Sequence, residues 1–255
     1  MIRGVKARWR LEPKQTASAE ASGSGWKGLY KLGGITVLIA ILIPPAEIVI
    51  GLLPGVERAT AGTVTVVDWF MLFQNHWFLG LRNLGLLNIV GAFLFIPTFL
   101  AVYAALRRDN EAYAALGTIL FLVGITVYLA NNRAFTMLSL SRQYTNATTD
   151  AQRSLFVVAG QAMLAGGQSR GGILLTEFAS LLISVVMLRG KVFSRATACP
   201  GMLGNALLMV VEIAFVPISS AVGMAVAAGG GLSLMTWYFL MGRRLLQLGT
   251  ISLET

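Results

Sequence analysis

The sequence predicts an all-α polytopic membrane protein of about six transmembrane helices, with amphipathic helices on the outer interface. Three observations predict it. The 255 residues are 56% hydrophobic and only 12% charged, with a mean hydropathy of +0.72. A soluble domain of this length has no interior large enough for that much apolar surface. Six apolar runs have the roughly 20-residue length that a helix needs to cross a hydrocarbon core of about 30 Å. Basic residues collect at the edges of those runs, as topology determinants do. The runs do not alternate apolar and polar residues, which excludes barrel strands.

Residues 1–25 precede the first run and include "KQTASAEASGSG", a Ser/Ala/Gly-rich stretch without apolar period. They are expected to form a flexible basic cytoplasmic tail. The polar lead is too long for the n-region of a signal peptide. The first span is predicted over 32–53 and contains "IPPAE", in which Pro44 and Pro45 bring no N–H to a helix. The carbonyls of Ala40 and Ile41 thereby lose their donors, and a kink is expected there. The connection from Pro54 to Arg82 carries "DWFMLFQNHWFLGL", an aromatic segment suited to the outer interface. It includes His76.

The second and third spans are predicted over 83–106 and 112–131, with Arg107 and Arg108 between them. A second long connection follows, "NNRAFTMLSLSRQYTNATTDAQRS", Asn131 to Ser154. Thr149 and Gln152 within it have the spacing of a capping box. Ala151, Leu155, Val158, Ala159, Ala162 and Met163 then recur at helical spacing, which predicts an amphipathic helix over 150–165 lying across the outer ends of the spans. Three further spans are predicted over 168–189, 200–219 and 221–241. Residues 26–249 read as one transmembrane domain and 250–255 as a short cytoplasmic tail. No internal repeat is visible.

Fourteen of the 20 basic residues fall on the predicted inner side: Arg3, Lys6, Arg8, Arg10, Lys14, Lys27, Lys31, Arg107, Arg108, Arg189, Lys191, Arg195, Arg243 and Arg244. Six fall outside: Arg58, Arg82, Arg133, Arg142, Arg153 and Arg170. Both termini are therefore expected in the cytoplasm. Trp26, Tyr30, Trp77, Trp237 and Tyr238 fall near predicted span ends, where amphipathic rings anchor at the interface.

An acid inside a span costs about 2.5–3.5 kcal/mol to insert, so each needs a reason. There are three: Glu47, Glu177 and Glu212. A rise of about 1.5 Å per residue puts them roughly 9, 13 and 10 Å below the outer surface, on three different helices. Arg170, Glu177 and Ser184 are spaced by seven, as are Asn205, Glu212 and Ser219. Seven residues are nearly two turns, so each trio forms a polar stripe that faces protein or water. Arg133, just past the third span, is placed to turn inward toward Glu212 or Glu177 and offset their burial. The candidate ligand- or ion-binding set is Glu47, Glu177, Glu212 and Asn205 within the spans, with Asn132, Arg133, Arg153 and Arg170 above them. The same acids can also serve as hydrogen-bonded glue between helices.

Composition narrows the remaining chemistry. The net charge of +9 belongs to span flanks, which argues for lipid headgroups and against nucleic acid. One cysteine, Cys199, allows no internal disulfide and is expected to pack as a small hydrophobe. With one histidine and one cysteine, no metal site or cofactor is expected. No Gly-x-Ser-x-Gly or nucleophile–base pair marks an active site, and no catalytic residue is assigned.

The block "NRAFTMLSLSRQYTNATTDAQRSLFVVAGQAML" resembles the central block of the domain of unknown function 4386 family of prokaryotic membrane proteins. "WYFLMGRRLLQLG", Trp237 to Gly249, is similar to that family's closing pattern. The likeness spans roughly 28–249 and does not include "IPPAE". The matching positions are Asn132, Arg133, Leu138, Ser139, Leu140, Ser141, Tyr144, Ala151, Gln152, Arg153, Ala159, Gly160 and Ala162. The resemblance implies a prokaryotic inner-membrane protein of about six helices and implies no activity.

Three functions fit these residues. The first is binding or transport of a small ligand, cation or proton in an outer-half polar cavity, with the Asn131–Ser154 stretch as its lid. The second is an intramembrane enzyme using paired carboxylates. The third is a structural or regulatory membrane protein. The lipid bilayer is the expected partner, and the oligomeric state is left open.

Overall fold

The computed structural model describes residues 13–51, 64–165, 170–214 and 220–250, with side chains from Trp26 onward. Every element named among them is an α-helix: α1 (Pro13–Ala40), α2 (Ile43–Gly51), α3 (Val66–Asn75), α4 (Trp77–Asn83), α5 (Leu86–Ala130), α6 (Ala134–Asn146), α7 (Asp150–Ala165), α8 (Arg170–Arg189), α9 (Arg195–Ile213) and α10 (Ala221–Thr250). Five helical stretches are long and apolar enough to cross a membrane.

One of the five holds two crossings. The backbone of α5 leaves helical geometry at Asn110, with φ −159° and ψ 92°. Asn110 Oδ1 accepts the Tyr113 N–H at 3.3 Å, so it caps a new helix after Asp109. Phe99 and Phe121 then stack with ring centroids 3.4 Å apart. Along one straight helix their Cα atoms would lie about 33 Å apart. The two arms are therefore antiparallel, and the predicted second and third spans are this hairpin.

The first span breaks where the two prolines place it. Helix α1 ends at Ala40, two turn residues follow, and α2 begins at Ile43. The tail expected to be flexible to about residue 25 overlaps α1, whose backbone is helical from Pro13. Residues 1–12 lie outside the described residues.

The fifth span is shifted relative to its predicted 200–219. Ser194 caps α9 by accepting the Thr197 N–H at 3.2 Å, and Pro200 sits inside the helix rather than at its start. Helix α10 runs to Thr250, nine residues past the expected end. Trp237 is thus fully buried, edge-on to Phe99 at 6.4 Å, and is a core residue rather than an interfacial anchor. Trp26 lies midway along α1 rather than at a helix end, with the Arg107 guanidinium 4.4 Å above its ring.

Two cores result. The bundle core joins α1, both arms of α5, α8, α9 and α10 through Val37, Phe99, Phe121, Ile183, Met187, Ala198, Trp237 and Met241. A second core, Val66, Trp69, Phe70, Phe73, Leu81, Ala134 and Met137, joins α3, α4 and α6. Helix α7 adds Phe156, Val157 and Leu164 to it. These four short helices form a cap at one end of the bundle. Thr65 and Asp68 start α3 with a reciprocal capping box. Ser141 Oγ ties α6 to the Phe70 carbonyl at 2.9 Å in the cap interior.

The cap corrects the predicted face of α7. Leu155, Val158 and Met163 are 68%, 61% and 39% exposed, and the packed face is Phe156, Val157, Gly160 and Leu164. The capping motif also differs in detail. Gln152 N–H reaches Thr149 Oγ1 at 3.3 Å, but Gln152 Oε1 accepts from Thr148 N–H at 3.1 Å, not from Thr149.

The opposite end gathers the Asn110 turn and the α8–α9 connection. Asp109 Oδ2 accepts the Lys191 N–H at 3.0 Å, and Arg244 Nε donates to the Val192 carbonyl at 2.8 Å.

Candidate functional site

Helices α8 and α9 run antiparallel, and Gly201 lets Ser184 Oγ and the Trp237 indole approach its backbone. That register sets Glu212 opposite about Ile173, one turn from both Arg170 and Glu177. The two predicted stripes thus face each other. Arg170 Nε lies 3.9 Å from Glu212 Oε2 at the cap end. Glu177 lies deeper and is 7% exposed. Its Oε2 atom is buried with no hydrogen-bond partner among the described residues.

Below Glu177 the file continues in small polar groups. Ser180 and Ser184 are 1% and 0% exposed, and Ser184 Oγ donates to the Ser180 carbonyl at 2.8 Å. Asn205 is 2% exposed and donates from Nδ2 to the Gly201 carbonyl at 2.7 Å. Trp237 Nε1 is a second buried atom without a partner among the described residues. Ser219, the last member of the α9 stripe, lies outside the described residues.

Beside this file lies a cavity of about 350 Å³ at the α1–α2 break. Ala40, Ile41, Ile43 and Pro44 form one wall, Asn88, Gly91, Ala92 and Phe95 a second, and Ile125, Tyr128, Ile173 and Thr176 a third. Helix α10 closes it with Gly231, Leu234, Met235 and Tyr238. Asn88, Tyr128 and Ile173 are each within a few residues of a helix end on the cap side, so the cavity occupies the half of the bundle nearer the cap. The lining is mostly apolar, and none of the three acids belongs to it. Glu177 stands next to it all the same: Thr176, which precedes it in sequence, lines the cavity. The walls at Ala40 and Ile41 carry the two carbonyls whose helical donors are replaced by Pro44 and Pro45.

The other candidates separate from this locus. Glu47 pairs with Arg82 at 3.2 Å, and Arg82 Nη2 also donates to the Glu47 carbonyl at 3.0 Å. This pair joins α2 to α4. Asn132 accepts the Ala134 N–H on Oδ1 at 2.9 Å and donates to the Leu84 carbonyl at 3.4 Å, which clamps the start of α6 to the turn before α5. That turn includes Gly85 at φ +94°, a conformation that favours glycine. Arg133 does not turn to an acid: its Nη1 donates to the Leu164 carbonyl at 3.1 Å, and the arginine opposite Glu212 is Arg170. Arg153 lies 3.6 Å from Asp150 on the exposed surface of α7. His76 is exposed between α3 and α4, and Cys199 is exposed on α9 instead of packing.

Arg82 and Tyr238 were not legible as site neighbours. Arg82 reads as a flanking topology charge, and nothing local points it at an acid 35 residues earlier. Tyr238 reads as an interface anchor because the sixth span looked shorter than it is. Glu177 and Glu212 do not form a hydrogen-bonded carboxyl pair of the kind that shares acid and base roles, since Glu212 faces Arg170.

The fold and this buried acidic file define a helical multi-pass membrane protein. The chain belongs to the family described as domain of unknown function (DUF4386), whose model matches residues 32–242. No curated protein and no solved structure matches the chain.

Proposed function

We propose that the chain is a membrane-embedded binding or transport protein for a small ligand with a largely apolar body and a cationic or hydrogen-bond-donating group. The body occupies the cavity at the α1–α2 break, and the donating group reaches toward Glu177. One observation supports this above the rest: Glu177 is buried beside the cavity with Oε2 unpartnered among the described residues. An unmatched buried acceptor costs about 1–3 kcal/mol or more, and a ligand donor recovers that cost. The cavity adds acceptors at Ala40 and Ile41 and aromatic faces at Phe95, Tyr128 and Tyr238, which favour a cation. Arg170, Glu212 and Glu177 form the polar route from the cap end to this point, and Asn205 lies below it. The end with the Asn110 turn, rich in Lys and Arg, faces the cytoplasm by the positive-inside rule, in a prokaryotic inner membrane.

Benzyltrimethylammonium and neutral benzyl alcohol, titrated into purified protein in nanodiscs, test the proposal. The cation is expected to raise the melting temperature of the wild type and the alcohol to do much less. Glu177→Gln is expected to weaken the cation response at least tenfold. Gly231→Ile, which adds bulk where a side chain meets open space, is expected to block it. Equal responses from the cation and the alcohol, or a Glu177→Gln response equal to wild type, would remove Glu177 from the site.

A further inference from the structure

We infer that the end of the bundle opposite the cap carries a binding site for a phosphate group. It lies at the α8–α9 connection and is separate from the cavity beside Glu177. A second cavity, of about 380 Å³, opens there between the start of α9 and the last turns of α10. Lys191, Arg243 and Arg244 line it together with Ser194, Thr197 and Gln247. Among the described residues none of the three cations is ion-paired with a carboxylate. Asp109, an acid at the same end of the bundle, is engaged by the backbone N–H of Lys191.

Three cations around one cavity repel one another, and an anion between them removes that cost. The site is also held in shape. Arg244 is fixed by its bond from Nε to the Val192 carbonyl at 2.8 Å and by a longer one from Nη1 to Gln247 Oε1 at 3.4 Å. Those bonds use two of its five N–H groups, and the rest stay available. Ser194 and Thr197 share a hydroxyl–hydroxyl bond at 3.1 Å, so one of them retains a proton to donate. Ser194 also begins α9, whose positive end adds to the field. Fork-shaped guanidinium, ammonium and hydroxyl donors together match the several oxygens of a phosphate better than one carboxylate. The phosphate can belong to an anionic phospholipid headgroup or be free in solution.

Native mass spectrometry of the full chain in detergent tests the site, with added phosphatidylglycerol or phosphatidylcholine. A parallel titration with inorganic phosphate reads the melting temperature. The variants are Lys191→Gln/Arg243→Gln, both on exposed side chains, and Arg108→Gln as a control for charge at the same end outside the cavity. Retained phosphatidylglycerol that falls at least fivefold in the double variant and stays in Arg108→Gln supports the site with a lipid phosphate. A saturable inorganic-phosphate response with the same variant pattern, and no preference for phosphatidylglycerol, supports it with a soluble phosphate. Equal loss in Arg108→Gln and the double variant, or no loss in either, or no binding of either probe to the wild type, overturns it.

Discussion

The Arg82 guanidinium meets the Glu47 carboxylate at 3.2 Å, with side-chain exposures of 3% and 8%. A buried pair of this kind repays its desolvation only while both partners are present. Arg82→Ala or Glu47→Ala is therefore expected to destabilise the protein by about 3–5 kcal/mol. The double change Glu47→Leu/Arg82→Met is expected to lie within about 1 kcal/mol of the wild type, or above it. Melting in detergent across the four proteins checks this. Additive losses in the double variant would mean that the two residues do not act as a pair.

The α5 hairpin rests on the stack of Phe99 on Phe121. Phe121→Ala is expected to cost about 3–5 kcal/mol, the range for deleting a buried aromatic ring. Loosening is expected to concentrate in the two arms of α5, read by hydrogen exchange. A uniform loss of protection across all helices, or none, would show that the stack does not hold the hairpin closed.

Helices α5 and α8 touch backbone to backbone where Gly124 meets Gly172. A Cβ on Gly172 would lie 2.8 Å from the Tyr128 amide nitrogen and 3.0 Å from the Gly124 carbonyl. Neither atom can move aside as a side chain can. Gly172→Leu is expected to cost about 1–3 kcal/mol through overpacking. Gly171→Leu, one residue earlier and facing open space, is expected to be near neutral. Equal melting temperatures for the two variants would contradict the close approach.

The start of the cap carries a pH dependence. Hydrogen bonds from the Thr65 hydroxyl and backbone N–H hold the Asp68 carboxyl below its ordinary 3.8. A depressed carboxylate stabilises the fold above that ordinary value, and the contribution is lost as pH falls through the lower folded value. Exchange of the first-turn amides of α3 is thus expected to quicken, relative to neighbouring helices, as the pH is lowered below about 4. Asp68→Asn is expected to abolish that dependence. A variant with the same pH profile as the wild type would assign the effect elsewhere.

Crossing number, the proline break and the hidden stripes could be read from sequence because each is local. Run length fixes a crossing, two missing N–H groups fix the break at Pro44 and Pro45, and a spacing of seven puts Arg170, Glu177 and Ser184 on one face. Partners were not readable, because pairing depends on which helices become neighbours. Arg133, at the end of the third span, is placed to turn inward to the acids, yet it bonds an α7 carbonyl, and Arg82 and Arg170 take the acids. The buried face of α7 was misassigned for a related reason. Leu155, Val158 and Met163 are as apolar as Phe156, Val157 and Leu164, so periodicity alone could not choose between two oily faces. Helix ends failed where side chains decide them, as with Ser194, whose cap starts α9 at Arg195, five residues before the expected start.

The cap's core has a consequence for the order in which the chain is made. Trp69, Phe70 and Phe73 come from α3, but the residues that cover them, among them Met137 and Phe156, follow the whole α5 hairpin. At about 5–20 residues per second, the roughly 80 residues from Phe73 to Phe156 take on the order of 4–16 s to synthesise. For most of those seconds the aromatic side of α3 has none of its final neighbours from α6, and for all of them it lacks Phe156 of α7. An amphipathic helix can wait at a bilayer interface with that side down, where water would leave it to aggregate. The membrane surface therefore serves α3 as a temporary partner, later exchanged for α6 and α7.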